Sequence, residues 1–209
     1  THSQLMIAFD QQSHNLPGEP SLGDRIAATG YNYNSIGENI FLYGEDALYT
    51  HAAFFIDWGS TPTGIQTPPG HRNSIMNAAF TDIGIGAIAE SNPETAAGPN
   101  AVTYHIGRAF ASTPMLLGVV IDDGDNDDFY DMGEGVGGVT ITAVGTACTF
   151  ITTSWDAGGY QIALPGGSYT VNFVGNDINR TSNVTIASNN VKLDAETGGT
   201  VSLTFAQLF

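Results

Sequence analysis

TPPGHRNSIM, residues 67–76, decides how the first half of this chain is read. Proline cannot continue a helix or a strand, so Pro68, Pro69 and Gly70 make a loop that hands His71 to the first turn of a short helix. Upstream lies EDALYTHAAFFIDW, residues 45–58, the clearest helix in the chain and acidic at its start, as the helix dipole prefers. Further back, Leu5, Met6 and Phe9 fall at helical spacing, and SLGDRIAATG reads as a short helix closed by Gly30. Downstream, TDIGIGAIA and AVTYHIGRAF read as strands on either side of the polar loop ESNPETAAGPN. Helices followed by strands predict an α+β unit rather than a βαβ alternation.

The pattern changes after FASTP, residues 110–114. From Met115 onward, short β-branched runs alternate with turn residues: LLGVVI, GVTITAV, CTFITTSW, GYQIAL, SYTVNFV, SNVTIA, VKLDAE and TVSLTF. Seven or eight short strands in under a hundred residues predict a β-sandwich. The chain therefore divides into 1–113 and 114–209. Both parts are acidic. The first sets ten acids against Arg25, Arg72 and Arg108, the second eleven acids against Arg180 and Lys192, for a net charge of −16.

That charge leaves nothing to neutralise phosphates, which excludes nucleic acid and anionic membrane surfaces as main partners. Cys148 is the single cysteine, so neither a disulfide framework nor a cysteine-rich zinc site can form, and its place in an apparent strand reads as a buried thiol. No apolar run approaches the ~20 residues of a membrane span. The chain opens in what reads as mid-helix, and a signal peptide with at least one further turn or helix is expected upstream.

Three motifs on or beside loops carry ionisable groups that a core would not request: Ser13–His14, GENI at 37–40 and GHRNSIMN at 70–77. A histidine at a helix N-terminus is kept neutral by the dipole, which leaves a lone pair for a divalent metal. Two histidines and a carboxylate, His14, Glu38 and His71, can hold a zinc-like ion with an open position, or form a hydrogen-bonded polar cleft without one. No G-x-S-x-G elbow and no H-E-x-x-H helix is present.

In order and spacing, HSQLM, SH, GDRIAATGY, GENI, FFIDW and GHRNSIMN followed by FTDIGIG resemble the CAP superfamily of cysteine-rich secretory proteins, antigen 5 and pathogenesis-related proteins, in its cysteine-free bacterial form. The resemblance runs from Thr1 to about Phe110. It implies an α-β-α sandwich, its first helix truncated here, around a cleft lined by His14, Glu38 and His71. It also implies secretion or a cell-surface location, binding of a lipid, glycan or protein partner, and zinc or magnesium at the two histidines in some members. The fourth cleft residue, an acid, would fall on Thr61, with Asp57 the nearest substitute. His2 and His51 match no cleft position and read as helix-surface or packing residues, and His105 as structural.

DGDNDDFYDMGE, residues 123–134, sets acids at positions 1, 3, 5, 9 and 12 of a twelve-residue loop, the ligand spacing of an EF-hand. Asp123, Asp125, Asp127, the Phe129 carbonyl, Asp131 and Glu134 are the expected calcium ligands. Asp128 stands where an EF-hand has glycine, and strands rather than helices flank the loop. Residues 115–175 resemble the calcium-binding B-type repeats of Gram-positive adhesins and related carboxypeptidase-regulatory-like sandwiches, which implies a calcium-stiffened spacer. NRT at Asn179 and NVT at Asn183 are glycosylation sequons. The function expected is a secreted, non-enzymatic binding module with a calcium-stabilised sandwich. Its rivals are a structural subunit of an extracellular assembly or adhesin, which would self-assemble through sandwich edges, and a metal-dependent hydrolase in which Glu38 activates an ion-bound water.

Overall fold

The computed structural model describes residues 1–127 and 129–197; Asp128 and the expected strand TVSLTF lie outside the described residues. The chain forms two compact units, 1–112 and 113–209. The architecture is α+β, an α/β unit followed by a β-sandwich.

In the first unit, helices α1 (His2–Phe9), α2 (Leu22–Ala27), α3 (Ala47–Ile56) and α4 (Gly70–Ile75) accompany strands β1 (Tyr33–Gly44), β2 (Asp82–Ala89) and β3 (Asn100–Ala109). Ser21 caps α2 by accepting from Asp24 N, and Asp46 caps α3 by accepting from Tyr49 N. The strands form one antiparallel sheet in the order β1-β3-β2. Because side chains alternate across a strand, each face gathers its own core. Ile40, Leu42 and Ala101 pack with Met6 of α1 and with Leu16. Phe41, Val102, Tyr104 and Ile106 pack with Phe54 of α3 and Ile75 of α4. Helices thus cover both sides of a three-stranded sheet.

The long strand β1 was not foreseen. Its GENI segment reads as loop because Gly37, Glu38 and Asn39 mask the alternation, yet Glu38 sits in a continuous pairing with β3, opposite His105. Cross-strand partners and two buried cores supply what local propensity withholds.

The second unit holds β4 (Met115–Ile121), β5 (Thr140–Val144), β6 (Thr149–Thr153), β7 (Gly159–Ala163), β8 (Gly167–Gly175), β9 (Ile178–Ile186), β10 (Val191–Lys192) and β11 (Ala195–Glu196). One sheet runs β6-β5-β8-β9, all antiparallel; in the other, β4 pairs β7 antiparallel and β10 and β11 parallel. Inward residues such as Leu116, Val120, Ile141, Tyr160, Val171 and Phe173 make a single core. Cys148, read from sequence as buried, is exposed beside the β5–β6 turn.

VKLDAE, expected as one strand, is split at Leu193 and Asp194. There Asp194 Oδ1 takes the Val119 N–H at 2.9 Å, and the Leu193 carbonyl accepts the Tyr160 hydroxyl. Gly118 of β4 lies under this break: a Cβ on it would stand 2.0 Å from the Leu193 carbonyl oxygen, a backbone atom that cannot step aside. Gly118→Ala is therefore expected to push β10 and β11 off the sheet at a cost of about 3 kcal/mol, read as a lower denaturant midpoint with an unchanged slope.

Candidate functional site

Glu38 is the hub of the first unit. Its carboxylate is almost fully enclosed, and it accepts from His14 Nδ1 at 2.8 Å, Arg25 Nη1 at 3.0 Å and His105 Nε2 at 2.8 Å. β1 supplies Glu38, the neighbouring strand β3 supplies His105, α2 supplies Arg25, and the loop after α1 supplies His14. Burial opposes ionisation of Glu38, but the hydrogen bonds from His105, His14 and Arg25 outweigh it and hold the carboxyl far below the usual range. Behind it, His2 is enclosed, with Nδ1 2.8 Å from Glu19 Oε1 and Nε2 3.8 Å from Glu38 Oε1. Arg25 Nε lies 3.5 Å from Glu19. The result is a polar network in which one guanidinium and three imidazoles, His14 half exposed among them, surround two enclosed carboxylates.

His71 is elsewhere. Its Nδ1 is 2.7 Å from Asp57 Oδ1, and Asp57 Oδ2 accepts the backbone N–H groups of His71 and Arg72 at 2.8 and 3.2 Å. Pro69, at the N-cap of α4, offers no side-chain oxygen. Asp57 does that work from outside the helix, satisfying orphan donors where the dipole favours an anion. Arg72 answers it by donating from Nε to the Phe55 carbonyl at 2.7 Å and from its guanidinium to the Ile56 carbonyl at the end of α3. The loop before His71 thus serves to dock α4 head-on against the end of α3.

The sequence-derived trio is accordingly divided. His14 and Glu38 meet; His71 has no hydrogen bond or ion pair to either among the described residues. Adjacent residues of β1 explain why. Glu38 points to the α1 side of the sheet, whereas Asn39 points to the other and donates to the His71 carbonyl at 3.1 Å. No group of three metal-ligating side chains within 4.8 Å of one another includes His14, Glu38 or His71 among the described residues. Each imidazole meets its carboxylate through Nδ1, which leaves Nε2 as the nitrogen that a metal would take. Thr61 bonds the Ile65 carbonyl within its own turn.

Arg25, Glu19 and His105 were not singled out as partners of Glu38 by sequence. The available signal was the antiparallel register, which sets His105 opposite Glu38, but β1 was not expected as a strand. His51, read as a helix-surface or packing residue, is 3.4 Å from the Tyr104 hydroxyl and stacks on Phe55.

In the second unit the acidic loop closes on itself. Asp122 N donates to the Glu134 carbonyl at 2.8 Å, and an isolated bridge joins Ile121 to Gly135, so both ends are fixed to the end of β4. Asp123 Oδ1 accepts from Asn126 N and Asp127 N, and Asp127 Oδ1 accepts from Phe129 N at 2.8 Å. Glu134 accepts with both oxygens, from Gly124 N at 3.1 Å and Asp131 N at 2.8 Å, and is thereby aimed into the loop. Ligand atoms of Asp123, Asp125 and Glu134 lie within 4.8 Å of one another, as do those of Asp125, Asp127 and Asp131. Asp125 belongs to both groups. The charge of Asp127 first, then slight desolvation of this exposed group and the charges of Glu134, Asp123 and Asp131, push its carboxyl above the ordinary value. The Phe129 ring is exposed. Five carboxylates and a carbonyl on one pinned loop are an oxygen-donor set for a hard divalent cation, and calcium takes six to eight oxygens. Asp128, at the position of the EF-hand glycine, lies outside the described residues.

No family model matches the chain, and no curated protein matches it. Among solved structures the chain is similar to a DUF3823 family protein from Bacteroides ovatus ATCC 8483, at 19% identity and a TM-score of 0.31. The alignment covers 44% of this chain and 45% of that one, so the chain spans less than half the length of that structure.

Proposed function

We propose that this is a secreted or cell-surface, non-enzymatic binding protein: a CAP-type unit over residues 1–113 followed by a calcium-stiffened β-sandwich spacer over 114–209. The acidic loop carries the reading. Two carboxylate groups share Asp125, and Glu134 is preset by backbone N–H groups, which is how a calcium loop is organised before it fills. A chain whose sandwich needs calcium suits calcium-rich extracellular water, and its net charge of −16 suits solubility there.

For the first unit, helices on both faces of an antiparallel sheet agree with a CAP-type arrangement, and the motif order noted in the sequence supports it. The partner, a lipid, glycan or protein, would meet the exposed rim of His14, whose side chain is half exposed while the Glu38 behind it is enclosed. The non-enzymatic reading rests on the state of Glu38: an ionised carboxylate saturated by two imidazoles and a guanidinium has no lone pair to spare for activating water. Isothermal calorimetry with calcium tests the proposal. Saturable binding that disappears in Asp125→Ala/Glu134→Ala supports it, and wild-type protein that takes up no calcium at millimolar concentration refutes it.

A further inference from the structure

We propose that β2 is the seam of a homodimer, in which two copies of the chain pair their β2 strands antiparallel and join two three-stranded sheets into one of six strands. Beyond the self-assembly expected at sandwich edges, this places the contact in the first unit, and it rests neither on calcium binding nor on the CAP resemblance.

Among the described residues β2 is an edge strand, hydrogen-bonded to β3 alone, with an unbroken register from Asp82 opposite Gly107 to Ala89 opposite Asn100. The other edge strand, β1, has register irregularities at both ends of its pairing. Edges are normally guarded by lysine, proline or a bulge, and DIGIGAIA has none of these. Among the described residues, the hydrogen bond to a β2 backbone group from outside the sheet is the 3.3 Å one from Ser3 Oγ to the Gly86 carbonyl. Ile83 and Ile85 are 58% and 60% exposed on the α3 side. The apolar surface runs inward from Ile85 to its neighbour Tyr104, then to His51 and Phe55. On the α1 side, a Cβ on Gly84 would meet nothing within 4 Å. A strand approaching this edge meets no side chain of the described residues at Gly84.

The occupant that fits is β2 itself. A twofold axis normal to the sheet keeps each face on its own side and pairs odd residues with odd. Centred on Ile85, it sets Ile85 against Ile85, each Ile83 against an Ala87, and Gly84 against Gly86, so that bulky residues meet small ones and seven residues pair. Centring on Gly86 instead would bring Asp82 against Glu90, like charges directly opposed. In the Ile85 register Asp82 faces Ile88, and the two Asp82 residues stand about 20 Å apart, beyond the reach of unscreened repulsion in physiological salt. In a chain with 21 acids, β2 carries one charge, at its end.

The test is light scattering on the full chain from micromolar to millimolar concentration at physiological salt, with amide hydrogen exchange over β2. The expected mass rises to twice 21.9 kDa with concentration while the β2 amides become protected. Ile85→Lys and Ile85→Asp, changes at an exposed position, should each weaken the dimer by about 100-fold, since two isoleucine burials are lost per dimer. Mixed in equal amounts, the two variants should dimerise again, because lysine then faces aspartate across the axis. A wild type that stays monomeric, a dimer indifferent to both substitutions, or a mixture that fails to associate would each overturn the proposal. Protection of β2 without a change in mass would overturn it too, by giving the edge to a segment of the same chain.

Discussion

Replacing Glu38 with glutamine is expected to unfold the first unit roughly 12–40 °C earlier than wild type. The side chain is enclosed and gathers His14, Arg25 and His105. Glutamine has nearly the same shape, but it removes the charge that compensates Arg25 and turns an amide donor toward a donor. Breaking a buried ion pair from one side costs ~3–5 kcal/mol, and a unit of this size loses ~4–8 °C per kcal/mol. The same network fixes the acid limb. The folded pKa of Glu38 lies below the unfolded value of about 4.3, so its contribution is complete above that value and is lost as pH falls through the folded one. Glu38→Gln should therefore flatten the stability profile on the acid side. Each unit holds one tryptophan, Trp58 or Trp155, so Trp155→Phe leaves a fluorescence signal confined to the first unit. Equal melting of wild type and Glu38→Gln at pH 7 would show that the network is solvated rather than buried.

The second large effect belongs to calcium. Ligand binding to the folded state alone adds about 2.7 kcal/mol at a hundredfold excess over the dissociation constant, which for the sandwich corresponds to roughly 10–20 °C. Chelation should lower the melting temperature of the second unit by that amount, and Asp125→Ala/Glu134→Ala should melt at one temperature with or without calcium. Trp155 is the natural reporter. Its turn carries Ala157, whose carbonyl accepts the Tyr130 hydroxyl of the loop at 3.1 Å, and a Cβ on Gly135 at the loop exit would collide with Ala157. Without the ion, Asp127 and its neighbours keep the carboxyl of Asp125 raised; the crowded charges oppose folding above the ordinary carboxylate range and cease to do so as pH falls through the raised value. Acidification through that raised value should thus narrow the gap between calcium-free and calcium-loaded protein. A calcium-independent melting temperature in wild type would remove the spacer role.

Much of this molecule could be read from local signals, and the exceptions have physical reasons. The helix spacing of Leu5 and Met6, the alternation in TDIGIGAIA and the turn residues between sandwich strands are all set within a few neighbours. The clustering of the acidic loop could be read for the same reason, because its carboxylates lie within twelve residues. β1 could not, since its stability comes from β3 some sixty residues away and its pattern is broken by Gly37, Glu38 and Asn39. Missing that strand had a cost for the site. Once Glu38 and Asn39 are adjacent strand residues they must face opposite sides, which separates His71, held by Asn39 and Asp57, from His14, held by Glu38. Asp57, considered from sequence only as a substitute cleft acid, proves to be a helix cap, a role that depends on a tertiary approach no spacing rule announces.

The calcium-stiffened spacer is tested most directly by a crystal structure of the protein grown with calcium, inspected at residues 123–134. Density is expected for an ion coordinated at about 2.3–2.6 Å by Asp123, Asp125, Asp127, the Phe129 carbonyl, Asp131 and both oxygens of Glu134. Carboxylates that stay hydrogen-bonded only to backbone and water at millimolar calcium would contradict it.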